Sequence, residues 1–155
     1  MDKLDTKLLG LMQEDAGLSV GNLAEQIGIS KSACWRRIQK LEENGVIRQR
    51  VTLLEPTKIG LSLTVFISVR TSQHNPKWAE NFKAAVQDIS GITEVYRMGG
   101  DVDYLLKAIV SDMSGYDRLY QKLIAADLFE VTAGFVMETM KQTTVLPLSS
   151  IMSKD

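Results

Sequence analysis

The sequence predicts an α+β chain: an N-terminal helix-turn-helix (winged-helix-like) domain, a hinge strand, and a ferredoxin-like βαββαβ domain. Three observations carry that prediction. Ser19 to Glu43 reads as two short helices separated by Gly28-Ile29-Ser30; the apolar spacing turns from helical to alternating after Gly60; and strand-like and helical stretches then follow in the order βαββαβ. The expected boundaries are 1–52 for the helical domain, with its two-helix unit at about 19–43, then 53–60 for a hinge, 61–145 for the second domain and 146–155 for a tail.

Asp2 and Asp5 open the first helix, where carboxylates meet the positive end of the helix dipole, and Leu4, Leu8, Leu11 and Met12 keep helical spacing up to Ala16-Gly17. Ser19 and Ser30 stand where N-cap oxygens are wanted for the next two helices. Leu23, Ala24 and Ile27 supply the inner face of the second helix, and Cys34, Ile38 and Leu41 that of the third. Ser32, Arg36 and Lys40 fall on the opposite face of that third helix. After Asn44-Gly45, Val46 to Leu54 reads as an extended segment and Glu55-Pro56 to Gly60 as a linker.

From Leu61 to Arg70, Leu61, Leu63, Val65, Ile67 and Val69 alternate with Ser62, Thr64, Phe66, Ser68 and Arg70, the two-residue period of a half-buried strand. Trp78, Phe82, Ala85, Val86 and Ile89 mark a helix after Asn75-Pro76; strands follow at about Ile92 to Met98 and Asp103 to Val110, around a Gly99-Gly100-Asp101 turn. Tyr116, Leu119, Tyr120, Leu123 and Ile124 mark a second helix capped by Asp112, and Val131 to Met140 a last strand. Apolar residues occupy both parities of several strands: Phe66, Leu105, Ile109, Val136 and Met140 oppose the Leu63, Leu106, Val110, Phe135 and Met137 sets. A sheet apolar on both faces, with helices on one, needs another cover, which predicts self-association.

With 155 residues, 45% of them hydrophobic, the chain can bury a real core. Its longest apolar runs are far below the ~20 residues of a membrane span, and Met1 to Asp5 is acidic where a secretory leader would be basic. One cysteine makes no internal disulfide, so the expected compartment is the cytoplasm, with no membrane association. Cys34 shares the Ile38 and Leu41 face and reads as a small buried thiol; with His74 in a surface loop, no metal site and no cofactor are expected. Overall charge is −1, yet Gly28 to Val51 carries Lys31, Arg36, Arg37, Lys40, Arg48 and Arg50 against Glu42 and Glu43, a local balance of +4. That patch suits double-stranded DNA contacted at one place.

Arg36 sits most squarely opposite the packed side and is the expected base-edge contact. Arg37 lies off that axis, to hold phosphate or cap a structural carbonyl; Lys40 belongs to the charged face, Lys31 and Ser32 to its N-terminal turn, and Arg48 and Arg50 to the segment beyond. Trp35, on the flank, is open to two readings, packing against the first helix or hinge being favoured over touching DNA.

The order of S-x-S-x-C-W-R-R-I-x-x-L-E-x-x-G-V-I, a hinge, and βαββαβ with G-D-x-D-Y-L-L between its middle strands resembles, over nearly the full length, the Lrp/AsnC family of leucine- and asparagine-responsive transcription regulators. The resemblance implies a bacterial or archaeal DNA-binding regulator, a homo-oligomer that is dimeric or built of several dimers up to an octamer, with an amino acid or related small molecule bound by the C-terminal domain between dimers. It points to Met98, Gly99, Gly100, Asp101, Asp103 and Tyr104 as the effector loop, with backbone N–H groups for a carboxylate and Asp101 or Asp103 for an ammonium group. Gly100, Asp103 and Tyr104 match the family pattern, whereas Gly99 stands where many members carry a small hydroxyl or alanine. Met113, Thr132, Gly134 and Val136 stand at positions resembling those that line the pocket between dimers, with ordinary packing as the alternative.

Two other classes are weighed. The second domain also resembles amino-acid-sensing modules attached to enzymes, so a regulatory subunit acting by protein contact is the alternative function. Asp101 and Asp103 as paired carboxylates lack a companion base, nucleophile or phosphate loop, so an enzyme is not expected.

Overall fold

Side-chain caps decide where the first three helices begin. In a computed structural model, which describes residues 1–73, 75–125 and 130–148, α1 spans Lys3–Glu14 and opens on a reciprocal pair: the Asp2 carboxylate accepts from the Asp5 N–H at 2.8 Å, and the Asp5 carboxylate from the Asp2 N–H at 2.9 Å. Ser19 caps α2 (Val20–Ile27) through the Asn22 N–H at 3.1 Å, and Ser30 caps α3 (Lys31–Glu43) through the Ala33 N–H at 3.2 Å. Gly28, at φ 73°, is the left-handed residue that stops α2 and lets the chain turn into α3. Leu8, Leu23, Ala24, Ile27, Cys34, Ile38 and Leu41 form the buried core between the three helices.

The expected hinge strand does not form. Val46 and Ile47 donate their N–H groups to the Leu41 carbonyl, at 2.9 and 3.1 Å, and so finish the C-terminus of α3; Gly45, at φ 69°, makes that turn. Among the described residues no ladder includes the rest of the segment. Val51, Leu53 and Leu54 stay exposed. The expected linker holds one 3₁₀ turn, Pro56–Ile59, ended by Gly60. The chain divides into two compact units, Met1–Leu53 with Lys141–Asp155, and Leu54–Met140. Residues 141–148 thus group with the helices: the Gln13 side-chain amide donates to the Leu146 carbonyl at 3.0 Å and accepts from its N–H at 2.9 Å.

The second unit is a four-stranded antiparallel sheet in the order β2-β3-β1-β4. Its elements are β1 (Leu63–Arg70), α4 (Pro76–Gln87), β2 (Ile92–Arg97), β3 (Tyr104–Val110), α5 (Met113–Ile124) and β4 (Glu130–Phe135). Asn75 and Asp112 cap the helices, and β4 ends five residues before the expected Met140. Alternation in β1 decides the packing: Val65, Ile67 and Val69 are buried with Trp78, Phe82, Val86 and Ile89, with Leu106, Ala108 and Val110, and with Leu119 and Leu123. α5 approaches β3 so closely that a Cβ on Gly115 would lie 2.9 Å from the Ser111 hydroxyl and 3.3 Å from Val110 Cβ. Among the described residues no helix is long and apolar enough to cross a membrane.

On the other face, register places Thr64, Phe66 and Ser68 beside Leu105, Lys107, Ile109, Thr132 and Gly134. Phe66 is exposed, Leu105 and Ile109 half-buried, and Lys107 pairs with Glu94 at 2.9 Å. The face is therefore less apolar than strand parity suggested. Phe135 turns toward the helices and meets Tyr116 edge-on at 5.1 Å, while Met137 and Met140 lie beyond the strand, almost fully exposed. His74, expected in a surface loop, lies outside the described residues.

Candidate nucleic-acid interface and effector loop

Helix α3 separates its charges by facing. Cys34, Ile38 and Leu41 are buried, and burial pushes the Cys34 thiol up, so it stays protonated and unreactive near neutral pH. Lys31, Ser32, Arg36, Gln39 and Lys40 are exposed. Arg36, Lys31 and Lys40 make no ion pair among the described residues, leaving their charge for an external partner. Gln39 was not among the expected contacts, although seven residues on from Ser32 and three from Arg36 puts it on the same outward stripe. An amide there can fork onto adenine N6 and N7.

Arg37 is engaged inside the protein. Its guanidinium reaches Asp2 at 2.7 Å and Asp5 at 2.6 Å, so it grips the reciprocal cap of α1 instead of a carbonyl. The Asp5 N–H and then Arg37 hold the Asp2 carboxyl below the usual carboxylate range, and the two carboxylates hold the Arg37 guanidinium protonated. The signal was present in the sequence as two acids at the start of α1, both read only as partners of the dipole. Arg50 pairs with Glu42 at 2.7 Å, and Arg48 is exposed. Trp35, for which packing was the favoured reading, is 47% exposed and borders a depression with Val20, Ser30, Lys31 and Ser32.

The effector-loop residues divide into two groups. Asp103 is a clasp: its carboxylate accepts from the Thr71 N–H at 2.8 Å, its N–H donates to the Val69 carbonyl at 3.1 Å, and its carbonyl accepts from the Met98 N–H at 2.8 Å. It thereby locks the β2–β3 turn to the end of β1. Tyr104 lies on the helix side, its ring 4.7 Å from Phe82 and 5.8 Å from Trp78. The ring is half-buried, with one side packed on this cluster and the rest bordering open clefts. Asp103 and Tyr104 border a small cleft with Thr71, Asn75, Trp78 and Arg97, of which Thr71 and Arg97 were not anticipated.

Met98, Gly99, Gly100 and Asp101 are exposed on the turn itself. Gly100 has φ 121°, which demands glycine; Gly99 has no such angle, and a Cβ there would meet nothing within 4 Å. The backbone therefore does not explain why position 99 lacks a side chain. Thr132 and Gly134 lie on the open face opposite Ser68 and Phe66, and the Val136 N–H donates to the Thr64 carbonyl at 3.0 Å. Met113, exposed at the start of α5, follows the far end of β3. Seven residues of strand, roughly 20 Å, part it from the turn, so one subunit does not bring all the expected ligand residues together.

Comparison with known proteins finds a match for each part of the chain. Residues 1–48 match the winged helix-turn-helix DNA-binding family and residues 64–146 the Lrp/AsnC ligand binding domain. The glutamate uptake regulatory protein of Zymomonas mobilis is 47% identical over 99% of this chain and 94% of its own. The DNA-binding transcriptional activator DecR of Escherichia coli is 40% identical over 96% and 99%. Among solved structures, an AsnC family transcriptional regulator from Agrobacterium tumefaciens superposes with a TM-score of 0.93 at 47% identity, covering 97% of this chain and 99% of that one. A Neisseria meningitidis transcriptional regulator in complex with L-Met gives 0.91 at 31% identity, with the same coverage. The chain belongs to the Lrp/AsnC family of transcription regulators, and is a DNA-binding regulator with a ligand-binding domain, not an enzyme.

Proposed function

We propose that this regulator reads a roughly palindromic duplex as a dimer, through Ser32, Arg36, Gln39 and Lys40 on α3, and that an amino acid bound between dimers alters its assembly. The observation that carries the DNA half is the division of labour between neighbouring arginines: Arg37 is spent on Asp2 and Asp5, while Arg36 faces outward with no partner among the described residues. Lys31, Arg48 and the partly engaged Arg50 add phosphate contacts at either end of the helix. Dimers formed through the open face of the sheet place two such helices about 10 bp, or a multiple of it, apart. Assembly of dimers toward an octamer would let the DNA track around them, in the cytoplasm where the duplex is.

The amino-acid half is supported by the L-Met complex of the Neisseria regulator and by the name of the Zymomonas relative, a glutamate uptake regulator. It is supported also by geometry. Met98 to Asp101, Thr132, Gly134, Val136 and Met113 lie too far apart to surround one small molecule in a single subunit, whereas neighbouring dimers can bring the two ends of different sheets together. An effector so placed shifts assembly only by its difference in affinity for the two states, typically ~1–3 kcal/mol.

Two measurements test the halves separately. Arg36→Ala is expected to weaken specific duplex binding by on the order of 1–3 kcal/mol and to relax base preference in a mobility-shift titration. Unchanged affinity would remove Arg36 from the contact set, and weak salt dependence of the wild type would favour a role through protein contact. A thermal-shift panel of the common amino acids is expected to raise the midpoint for one or a few of them by mass action. A flat panel would overturn the effector half and leave the DNA half standing.

A further inference from the structure

The exposed indole of Trp35 is the least explained feature of the DNA-binding unit. Every other apolar side chain of α3 beyond its first turn is buried, yet this one, the largest, is 47% exposed. It lines a shallow depression with Val20 of α2 and with Ser30, Lys31 and Ser32. The depression has little polar chemistry to offer. The Ser30 hydroxyl accepts from the Ala33 N–H at 3.2 Å, and the Ser30 and Ser32 hydroxyl oxygens lie 3.2 Å apart. What remains open is the indole surface, with the half-buried Val20 side chain beside it and the exposed Lys31 at the edge.

Facing identifies the occupant. On an ideal helix Trp35 lies about 60° round from Ser32 and about 100° from Arg36, so it borders the outward stripe near the N-terminal turn. N-terminal residues of a recognition helix are the ones that reach base edges. Lys31 at the edge suits a polyanionic partner, and the depression shares Lys31 and Ser32 with the face already assigned to DNA. Only one group in the major groove is apolar, the C5-methyl of thymine.

We propose that Trp35, with Val20, forms an apolar seat for a thymine methyl and so sets a base preference at one edge of each half-site. The proposal rests on the assignment of α3 to the major groove. Arg36 and Gln39 then read hydrogen-bonding edges at the centre of the stripe, and Trp35 reads a methyl at its border. A phosphate is a poor occupant, because the indole face and Val20 carry no charge to answer it.

The test uses the full chain and a duplex obtained by selecting a randomised library on the wild-type protein. Each thymine of the selected duplex is replaced in turn by deoxyuridine, which lacks only the methyl group. One thymine per half-site is expected to show about threefold to fivefold weaker binding on replacement, the effect of burying one methyl. In W35A that difference is expected to vanish, so that the two duplexes bind alike, while the salt slope of binding stays that of the wild type. W35F, which keeps an apolar ring, is expected to restore part of the difference; it also covers the case in which W35A folds poorly, judged by its melting curve. A deoxyuridine scan that is flat in the wild type despite a selected sequence overturns the seat and leaves the major-groove assignment intact. So does a thymine effect of undiminished size in W35A. If W35A changes the sedimentation of the free protein and leaves the thymine effect alone, the depression is a contact between copies and the proposal falls. If the wild type selects no sequence at all, the assignment of α3 fails first and the seat with it.

Discussion

Ile38→Ala is expected to unfold the helical unit while the sheet unit stays folded, and to abolish specific DNA binding. Ile38 is fully buried on α3, in a core of seven buried side chains shared by three short helices. Truncating a buried isoleucine costs about 2–5 kcal/mol, because the transfer energy of the lost carbons is joined by the void they leave. A unit of this size has little stability to lose, since small domains bury a small fraction of their surface. The core residues that would have to close the void, Leu8 on α1 and Leu23 on α2, are themselves buried and anchored on separate helices, so collapse is limited. Residues 54–140 hold their own core, in which Phe82, Ile67, Leu106 and Leu123 are almost entirely shielded. Differential scanning calorimetry should therefore show the transition of the helical unit lost or moved far down, with the other in place. A single transition that moves as a whole would show that the two units melt as one and that this partition is wrong.

The elements whose signals are local were legible in the sequence. Ser19, Ser30, Asn75 and Asp112 each act within three residues of their own position, so the starts of four helices could be read from single side chains. The βαββαβ order was equally plain, because a two-residue period fixes which side chains of β1 face the helices and leaves little freedom of register. Misreadings came where the answer depends on a distant partner. Val46 to Leu54 has strand-like composition, but strand formation needs another backbone alongside, and none pairs with it among the described residues. Arg37 shows the same limit on a smaller scale. Its helical position gives its direction, but nothing within α3 shows that Asp2 and Asp5, more than thirty residues earlier, wait at the end of that reach. The packing of the Tyr104 ring against Trp78 and Phe82 is likewise set by a distant element, α4, which the turn sequence around it does not announce.

The aromatic cluster behind that turn carries the second large effect. Phe82 stacks on Trp78 with ring centroids 5.1 Å apart and planes within 9°, and Tyr104 tilts against both. Removing a buried phenyl ring costs about 3–5 kcal/mol, which includes the loss of ring pairs worth about 0.5–1.5 kcal/mol each. For a unit of fewer than one hundred residues that corresponds to a fall in melting temperature on the order of 15 °C or more. The damage should not stay in the core. Tyr104 follows Asp103 directly, and Asp103 holds the β2–β3 turn to Val69 and Thr71 through two hydrogen bonds and fixes Met98 through a third. With Phe82 gone the Tyr104 ring loses its nearest support, and the clasp loses the side chain that orients it. Phe82→Ala is therefore expected to lower the transition of the sheet unit and to erase any amino-acid-induced thermal shift, while the transition of the helical unit stays where it was. Persistence of the full ligand shift in this variant, at a temperature where the unit is still folded, would dissociate the turn from effector binding and move the search to Met113 and the far end of the sheet.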